Sequence, residues 1–256
     1  MTVIVTLLTD FGSSDGYVAE VKGSILRLAP DAVLVDVSHD VTPGDVAGAA
    51  YVLGRTWTAF PEGTVHVAVV DPGVGTGRRA LAAEAGGHGF VAPDNGVLSR
   101  VLEGRKARVI ALAVPADASP VFHGRDVFAP VAARLARGES LDSLGTEIGD
   151  PVSLPAPRLE RRGGDLVGEV EHVDRFGTLV TSLPGRRVAD GAVVRVGAHV
   201  LVLRRTFGDV PPGDAVAFVG SGGAVEIAVR DGRADAALGA ARGVEVRATA
   251  RSGGTA

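Results

Sequence analysis

Residues 3–8, 33–37 and 65–70 are short β-branched runs, and between them the apolar residues recur at helical spacing. Val18, Val21, Ile25 and Leu28 mark the first interval, and Val46, Ala49, Ala50 and Leu53 the second. The two periods belong to different elements, so strands and helices must alternate. Apolar strands joined by helices require a mostly parallel sheet with helices on both faces, because neither face of such a strand tolerates water. Pro30 closes the first helical pattern. Further on, 80–84 and 89–92 predict a hairpin across Gly86-Gly87-His88-Gly89, Pro93-Asp94-Asn95-Gly96 predicts a turn into a helix over 96–103, and 109–114 reads as a strand. A helix carrying Phe128, Val131, Ala132 and Leu135 follows, with Gly138 as its stop.

The text changes after residue 150. Residues 151–164 are rich in proline and follow neither period, which marks a linker. Beyond it, short alternating runs at 166–173, 178–182, 193–196, 199–204, 215–219 and 224–229 are separated by glycine turns. Such runs close into a small antiparallel barrel or sandwich. The expected fold is therefore α/β, with an N-terminal mostly parallel sheet flanked by helices over 1–150, then a small antiparallel β-barrel domain over 165–250. Residues 251–256 read as a frayed tail.

Composition removes several classes of function. Only 4% of residues are aromatic while 46% are apolar, so the cores are built from Val, Ala, Leu and Ile. Lys and Arg number 26 against 30 Asp and Glu, and the basic residues are scattered, which argues against nucleic acid or an anionic membrane as partner. There is no cysteine, hence no disulfide, thiolate nucleophile or Cys-ligated metal. No stretch approaches the ~18 apolar residues of a membrane span. The opening Met1–Leu8 lacks a basic leader and reads as the first strand, so a cytoplasmic location is expected.

The chemistry concentrates at strand ends. Val69-Val70-Asp71-Pro72-Gly73 is a strand that breaks into a glycine loop and delivers Arg78. Asp10, Asp40 and His123 sit at comparable breaks, and ligands of open α/β sheets collect at the carboxyl ends of the strands. Asp71, Arg78 and His123 make the most economical site: an imidazole can take a proton near neutral pH, a carboxylate can hold it or a water, and a guanidinium can stabilise hydroxide. A divalent-metal phosphoesterase using Asp10, Asp15, Asp36, His39, Asp40, Asp71 and His123 is an alternative on residue type, but no pair has diagnostic ligand spacing. The first strand-to-helix turn lacks the G-x-G-x-x-G fingerprint of dinucleotide binding, and neither a P-loop nor a G-x-S-x-G elbow occurs.

Eight segments in order, TDFGSSDGYVAEVKG at 9–23, VDVSHDVTPGDV at 35–46, VVDPGVGTGRR at 69–79, VAPDNGVLS at 91–99, FHGRDVFAPVAA at 122–133, VDRFGTLVT at 173–181, TFGDVP at 206–211 and GSGG at 220–223, resemble the S-adenosylmethionine hydrolases that use hydroxide as nucleophile, relatives of the fluorinases and chlorinases. The resemblance implies displacement of methionine from C5′ by water, with adenosine as product and no cofactor or metal. It implies Asp71, Arg78 and His123 as the water-activating trio, with His123 as base or proton relay. Asp10 matches the residue on the ribose hydroxyls, Asp174 the one on the methionine ammonium, Ser221 a carboxylate contact and Phe207 an aromatic near adenine. Phe11, Asn95 and Phe176, within the same segments, join this substrate-binding set. Two positions depart from the pattern. Thr178 replaces an Asn that reads adenine, and Gly222 replaces the Arg that the halogenases set on the carboxylate, for which Arg230 is a candidate substitute. The resemblance also implies a homotrimer with sites at subunit interfaces. A nucleoside or S-adenosylmethionine sensor without turnover, and a 5′-halogenating enzyme, are the alternatives.

Overall fold

The computed structural model describes residues 3–251, and the chain separates after Leu154 into two compact units. In the first unit the order is β1 (Ile4–Thr9), α1 (Tyr17–Leu28), β2 (Val33–Ser38), α2 (Val46–Thr56), β3 (Val65–Val69), β4 (Ala80–Ala85), β5 (His88–Pro93), α3 (Ser99–Leu102), β6 (Ala107–Leu112), α4 (Ala129–Ala136) and β7 (Gly145–Glu147). These strands form one sheet in the order β2-β1-β3-β5-β4-β6-β7. The steps β2-β1-β3-β5 are parallel; β4 runs against both β5 and β6, and β7 runs against β6. The mostly parallel sheet expected from the alternating periods is thus present, with β4 and β7 reversed.

Strand alternation sorts the side chains onto two faces. Val65, Val67 and Val69 of β3 join Val21 and Ile25 of α1 and Ala132 and Ala133 of α4 in one core. Ala68 and Val70 join Ala49, Leu53 and Trp57 on the opposite face. Since α1 and α2 cover opposite faces, the connections diverge between β1 and β3, and their carboxyl ends open a crevice there. That crevice receives Asp10 from β1 and Asp71 from β3.

The second unit holds β8 (Leu159–Arg162), β9 (Asp165–Val173), β10 (Leu179–Pro184), β11 (Val193–Val196), β12 (His199–Arg204), β13 (Ala215–Val219), β14 (Ala224–Val229), α5 (Ala234–Leu238) and β15 (Glu245–Thr249). Seven strands close a barrel in the order β10-β14-β13-β12-β11-β15-β9 and back to β10, while β8 pairs with β9 outside the ring. The nine residues of β9 make closure possible: its first half pairs with β15 and its second half with β10. The pairs are antiparallel except β12 with β13. Inward Leu166, Leu179, Leu183, Val194, Ile227 and Val246 fill the barrel.

Three features differ from the sequence reading. The segment read as a linker carries fixed structure of its own: Val152 N donates to Asp94 Oδ1 at 2.7 Å and Leu154 N to the Ser99 hydroxyl at 2.8 Å, and residues 159–162 form β8. Prolines remove ladder donors there, yet the N–H groups of Val152, Leu154 and Arg158 find side-chain acceptors. The helix expected over 96–103 shrinks to Ser99–Leu102, because Gly96 has φ +95° and begins a turn. Strand β15 was passed over, although Val246 and Ala248 alternate with Glu245 and Arg247. Of the tail at 251–256, all but Arg251 lies outside the described residues. Among the described residues no helix is long and apolar enough to cross a membrane.

Candidate active site

Three chain segments meet at the crevice. Asp71 stands two residues beyond β3 and Arg78 closes the glycine loop before β4. Asp71 Oδ1 accepts from Arg78 Nε at 3.0 Å and Oδ2 accepts from Nη2, a bidentate pair with side-chain exposures of 5% and 9%. Arg78 Nη2 also donates to Nδ1 of His123 at 2.8 Å, and its guanidinium lies 5.3 Å from the Phe128 ring centre. His123 is buried at the start of a π-helical turn, Gly124–Phe128, where its side chain makes no capping bond. The carboxylate, guanidinium and imidazole expected together are together, although 45 residues separate Arg78 from His123.

One bond fixes the state of the imidazole. A guanidinium can only donate, so Nδ1 of His123 must accept, and the neutral ring carries its hydrogen on Nε2. Burial pushes the His123 pKa down, and the positive charge of Arg78 pushes the same way against weaker opposition from Asp71 and Asp126. The ring is thus held neutral as a hydrogen-bond donor at Nε2. Nδ1, the nitrogen that would accept a proton, is occupied by Arg78 in this arrangement.

A cavity of about 190 Å³ is lined by Asp10, Phe11, Gly44, Asp71, Phe122 and His123 among others. At ~30 Å³ per water it has room for roughly six waters or one sugar ring. Asp10 Oδ2 accepts from Gly44 N at 2.8 Å. Phe11 packs edge-to-face on Phe122, with ring centres 5.9 Å apart. The loop bearing Asp10 is held from behind: Thr9 Oγ1 lies 2.8 Å from His39 Nδ1, and Gly12 N donates to the His39 carbonyl at 2.8 Å. A larger cavity, about 610 Å³, opens at the amino ends of β3 and β5 beside His88, Lys106 and Arg108. The smaller one is the candidate site because Asp71 and His123 line it, with Arg78 bonded to both. Among the described residues no group of three or more His, Asp or Glu is disposed to hold a metal.

The remaining sequence-selected residues separate into three groups. Asn95 is not presented to the cavity: its Nδ2 donates to Val70 O at 2.8 Å and its Oδ1 accepts from Val97 N at 3.2 Å, so both ends of the amide are spent on main chain. In the barrel unit, Asp174 Oδ1 accepts from Phe176 N and Thr178 N at 2.9 and 2.8 Å, which leaves Phe176 77% exposed on the turn. Phe207 is 57% exposed and touches Phe218. Arg230 does not replace the missing arginine at Gly222. Ser221 and Gly222 lie in the turn joining β13 to β14, whereas Arg230 follows the far end of β14, roughly 20 Å of strand away. Its Nη1 is occupied by Val210 O at 2.8 Å.

Sequence reasoning overlooked Arg79 and Asp94. Arg79 Nε donates to Asp94 Oδ2 at 2.6 Å, and the Asp94 side chain is 2% exposed. A buried acid inside a proline-glycine turn was the only available signal, and turn chemistry alone accounts for that residue type.

Residues 5–145 match the N-terminal domain of the SAM hydroxide adenosyltransferase family, and residues 168–247 match its C-terminal domain. The chain is 44% identical over 256 residues to a Salinispora arenicola protein named (R)-S-adenosyl-L-methionine hydrolase, covering 96% of this chain and 97% of that one. A fluorinase from an Actinoplanes species is 32% identical over 213 residues, 70% of this chain and 71% of its own. The crystal structure of an uncharacterized conserved protein from Thermotoga maritima superposes with a TM-score of 0.87 at 34% identity, over 96% of this chain and 100% of that one.

Proposed function

The chain belongs to the SAM hydroxide adenosyltransferase family, and from that premise we propose that it hydrolyses S-adenosyl-L-methionine at C5′ to adenosine and L-methionine, with Asp71, Arg78 and His123 governing the attacking water. The C5′–S bond breaks with its electron pair moving to sulfur, a C5′–O bond forms, and one proton leaves the water. The observation that carries this reading is that Asp71 and His123, both on the wall of a small cavity, are joined through Arg78.

Each residue receives a role its bonds permit. Nε2–H of His123 donates to the water oxygen and holds it. Asp71 retains lone pairs beyond those used by Arg78, so it accepts a water hydrogen and takes the proton as the C–O bond completes, passing it to solvent. Arg78 engages both oxygens of the carboxylate and, together with burial, disfavours protonation of the neighbouring ring. The Asp71 carboxylate and the sulfonium lose charge together as the proton moves and the C–S bond breaks, so a site poor in water favours the transition state. Alignment behind the C–S bond supplies up to ~7–11 kcal/mol more.

Asp10 and Phe11 are proposed to hold the ribose and the edge of the base. A cavity of about 190 Å³ is below the ~300–1,000 Å³ of sites that enclose a ligand of this size, so further contacts are required, and Asp174, Phe176, Phe207 and Ser221 are proposed for the remainder. A homotrimer is proposed on the resemblance alone, and light scattering tests it.

Incubation with S-adenosyl-L-methionine followed by chromatography tests the activity. Adenosine and methionine in equal amounts are expected, unchanged by chelator. A carboxylate in the nucleophile's pocket repels halide, so added chloride is expected to yield no 5′-chloro product. Binding without turnover would overturn the hydrolase reading in favour of a sensor.

A further inference from the structure

We infer that the Asp94-Asn95 dipeptide is a positioning brace that clamps both ends of the 71–78 loop and thereby sets the distance between Arg78 and His123; the inference rests on the proposed reaction for its kinetic consequence only.

The sheet order creates the need for such a brace. Strand β5 lies between β3 and β4, so the chain leaving β3 must pass over the carboxyl end of β5 to enter β4. Residues 94 and 95, the first two beyond β5, therefore lie beneath that crossing. At its entry, Asn95 Nδ2 donates to Val70 O, the carbonyl directly before Asp71, at 2.8 Å. At its exit, Asp94 N donates to Arg79 O at 2.9 Å, and the Asp94 carboxylate accepts from Arg79 Nε at 2.6 Å. Arg79 directly follows Arg78. Two adjacent side chains thus fix the residues flanking the loop, while its interior is rich in glycine and has no regular structure of its own.

The energetics favour a role beyond folding. Asp94 is a buried carboxylate that also accepts from Val152 N at 2.7 Å, and such a group persists only with its donors in place. Charge-assisted bonds of this kind are short and strong and add geometric specificity. A shift of about 1 Å in a reacting group costs on the order of 10²-fold in rate.

The test uses Asn95→Asp, which removes the donor to Val70 but keeps Oδ1, and Asp94→Asn, which removes the charge on Arg79. Asn95→Ala serves as the third variant if either fails to fold. Two readouts are taken. For adenosine release, kcat is expected to fall about 10–100-fold while KM changes less than about threefold. In NMR of ring-labelled histidine, the His123 signal, assigned by its loss in His123→Gln, is expected to titrate at higher pH than in the parent. The charges facing that ring are Arg78, Asp71 and Asp126; a displaced Arg78 no longer opposes its protonation. Folded variants with an unmoved His123 titration, or with the loss confined to KM, would overturn the brace. If the parent releases no adenosine, the reaction fails on its own account and the titration still decides the brace.

Discussion

Replacing His123 by Gln and by Ala separates two accounts of the imidazole. Arg78 donates to Nδ1 at 2.8 Å, so the ring offers an acceptor to the guanidinium and a donor at Nε2. Glutamine carries the same pair, a carbonyl for Arg78 and an N–H for the water. Deleting one preorganised donor costs about 10²–10³ in kcat, or ~2.7–4 kcal/mol. Alanine also strips a buried guanidinium of one acceptor, adding about 1–3 kcal/mol of desolvation. His123→Ala is therefore expected to lose at least 10²-fold, and His123→Gln to retain at least tenfold more activity than the alanine variant. In the parent, activity requires the neutral ring. Its pKa is lowered by burial and by Arg78, so the acid limb of kcat/KM falls below pH 6.5, with full activity above it, and His123→Gln lacks the histidine part of that limb. The assay is initial-rate adenosine release over a series of substrate concentrations, giving kcat and kcat/KM from pH 4.5 to 8. A base would give a different pattern: both variants equally inactive, by about 10²–10⁴-fold. Equal losses in Gln and Ala, or an acid limb unchanged in the Gln variant, would refute the donor assignment.

Three further outcomes are expected. Gly75 has φ +76°, and a Cβ there would stand 2.6 Å from the Pro120 carbonyl oxygen; Gly75→Ala should destabilise by at least ~1–2 kcal/mol in thermal unfolding and lower kcat by displacing the loop. Phe176→Ala and Phe207→Ala remove exposed rings, so stability should move by no more than about 0.5 kcal/mol, while KM should rise about tenfold or more if the rings cover the substrate; unchanged KM removes them from the site. His66 is buried between Thr6 and His88, and burial chiefly, with the His88 charge, depresses its pKa to about 3. Below pH 6.5 the unfolded chain binds a proton that the folded chain refuses, so stability is full above pH 6.5 and falls by ~1.4 kcal/mol per pH unit on acidification toward pH 3; His66→Gln should flatten that slope in urea titrations between pH 4 and 7.

Local patterns in the sequence carried the architecture. The alternation of periods 2 and 3.6 predicted the strand-helix order through β3, since side-chain periodicity reflects which face is buried and does not depend on what buries it. Asp71 could be singled out because a β-branched run that breaks into a glycine loop puts its carboxylate at a strand's carboxyl end, where ligands of open α/β sheets collect. Other properties depended on contacts between distant segments. Whether His123 donates or accepts followed from one bond to a guanidinium 45 residues away, and the Asn95 amide meets the Val70 carbonyl because strand order placed it there. Arg230 failed as a substitute because barrel register put it at the wrong end of β14. Sequence records what each residue can do, and only the packed sheet and barrel fix which partner each donor and acceptor meets, because those pairings are set by register and crossing order, which leave no mark on neighbouring residues.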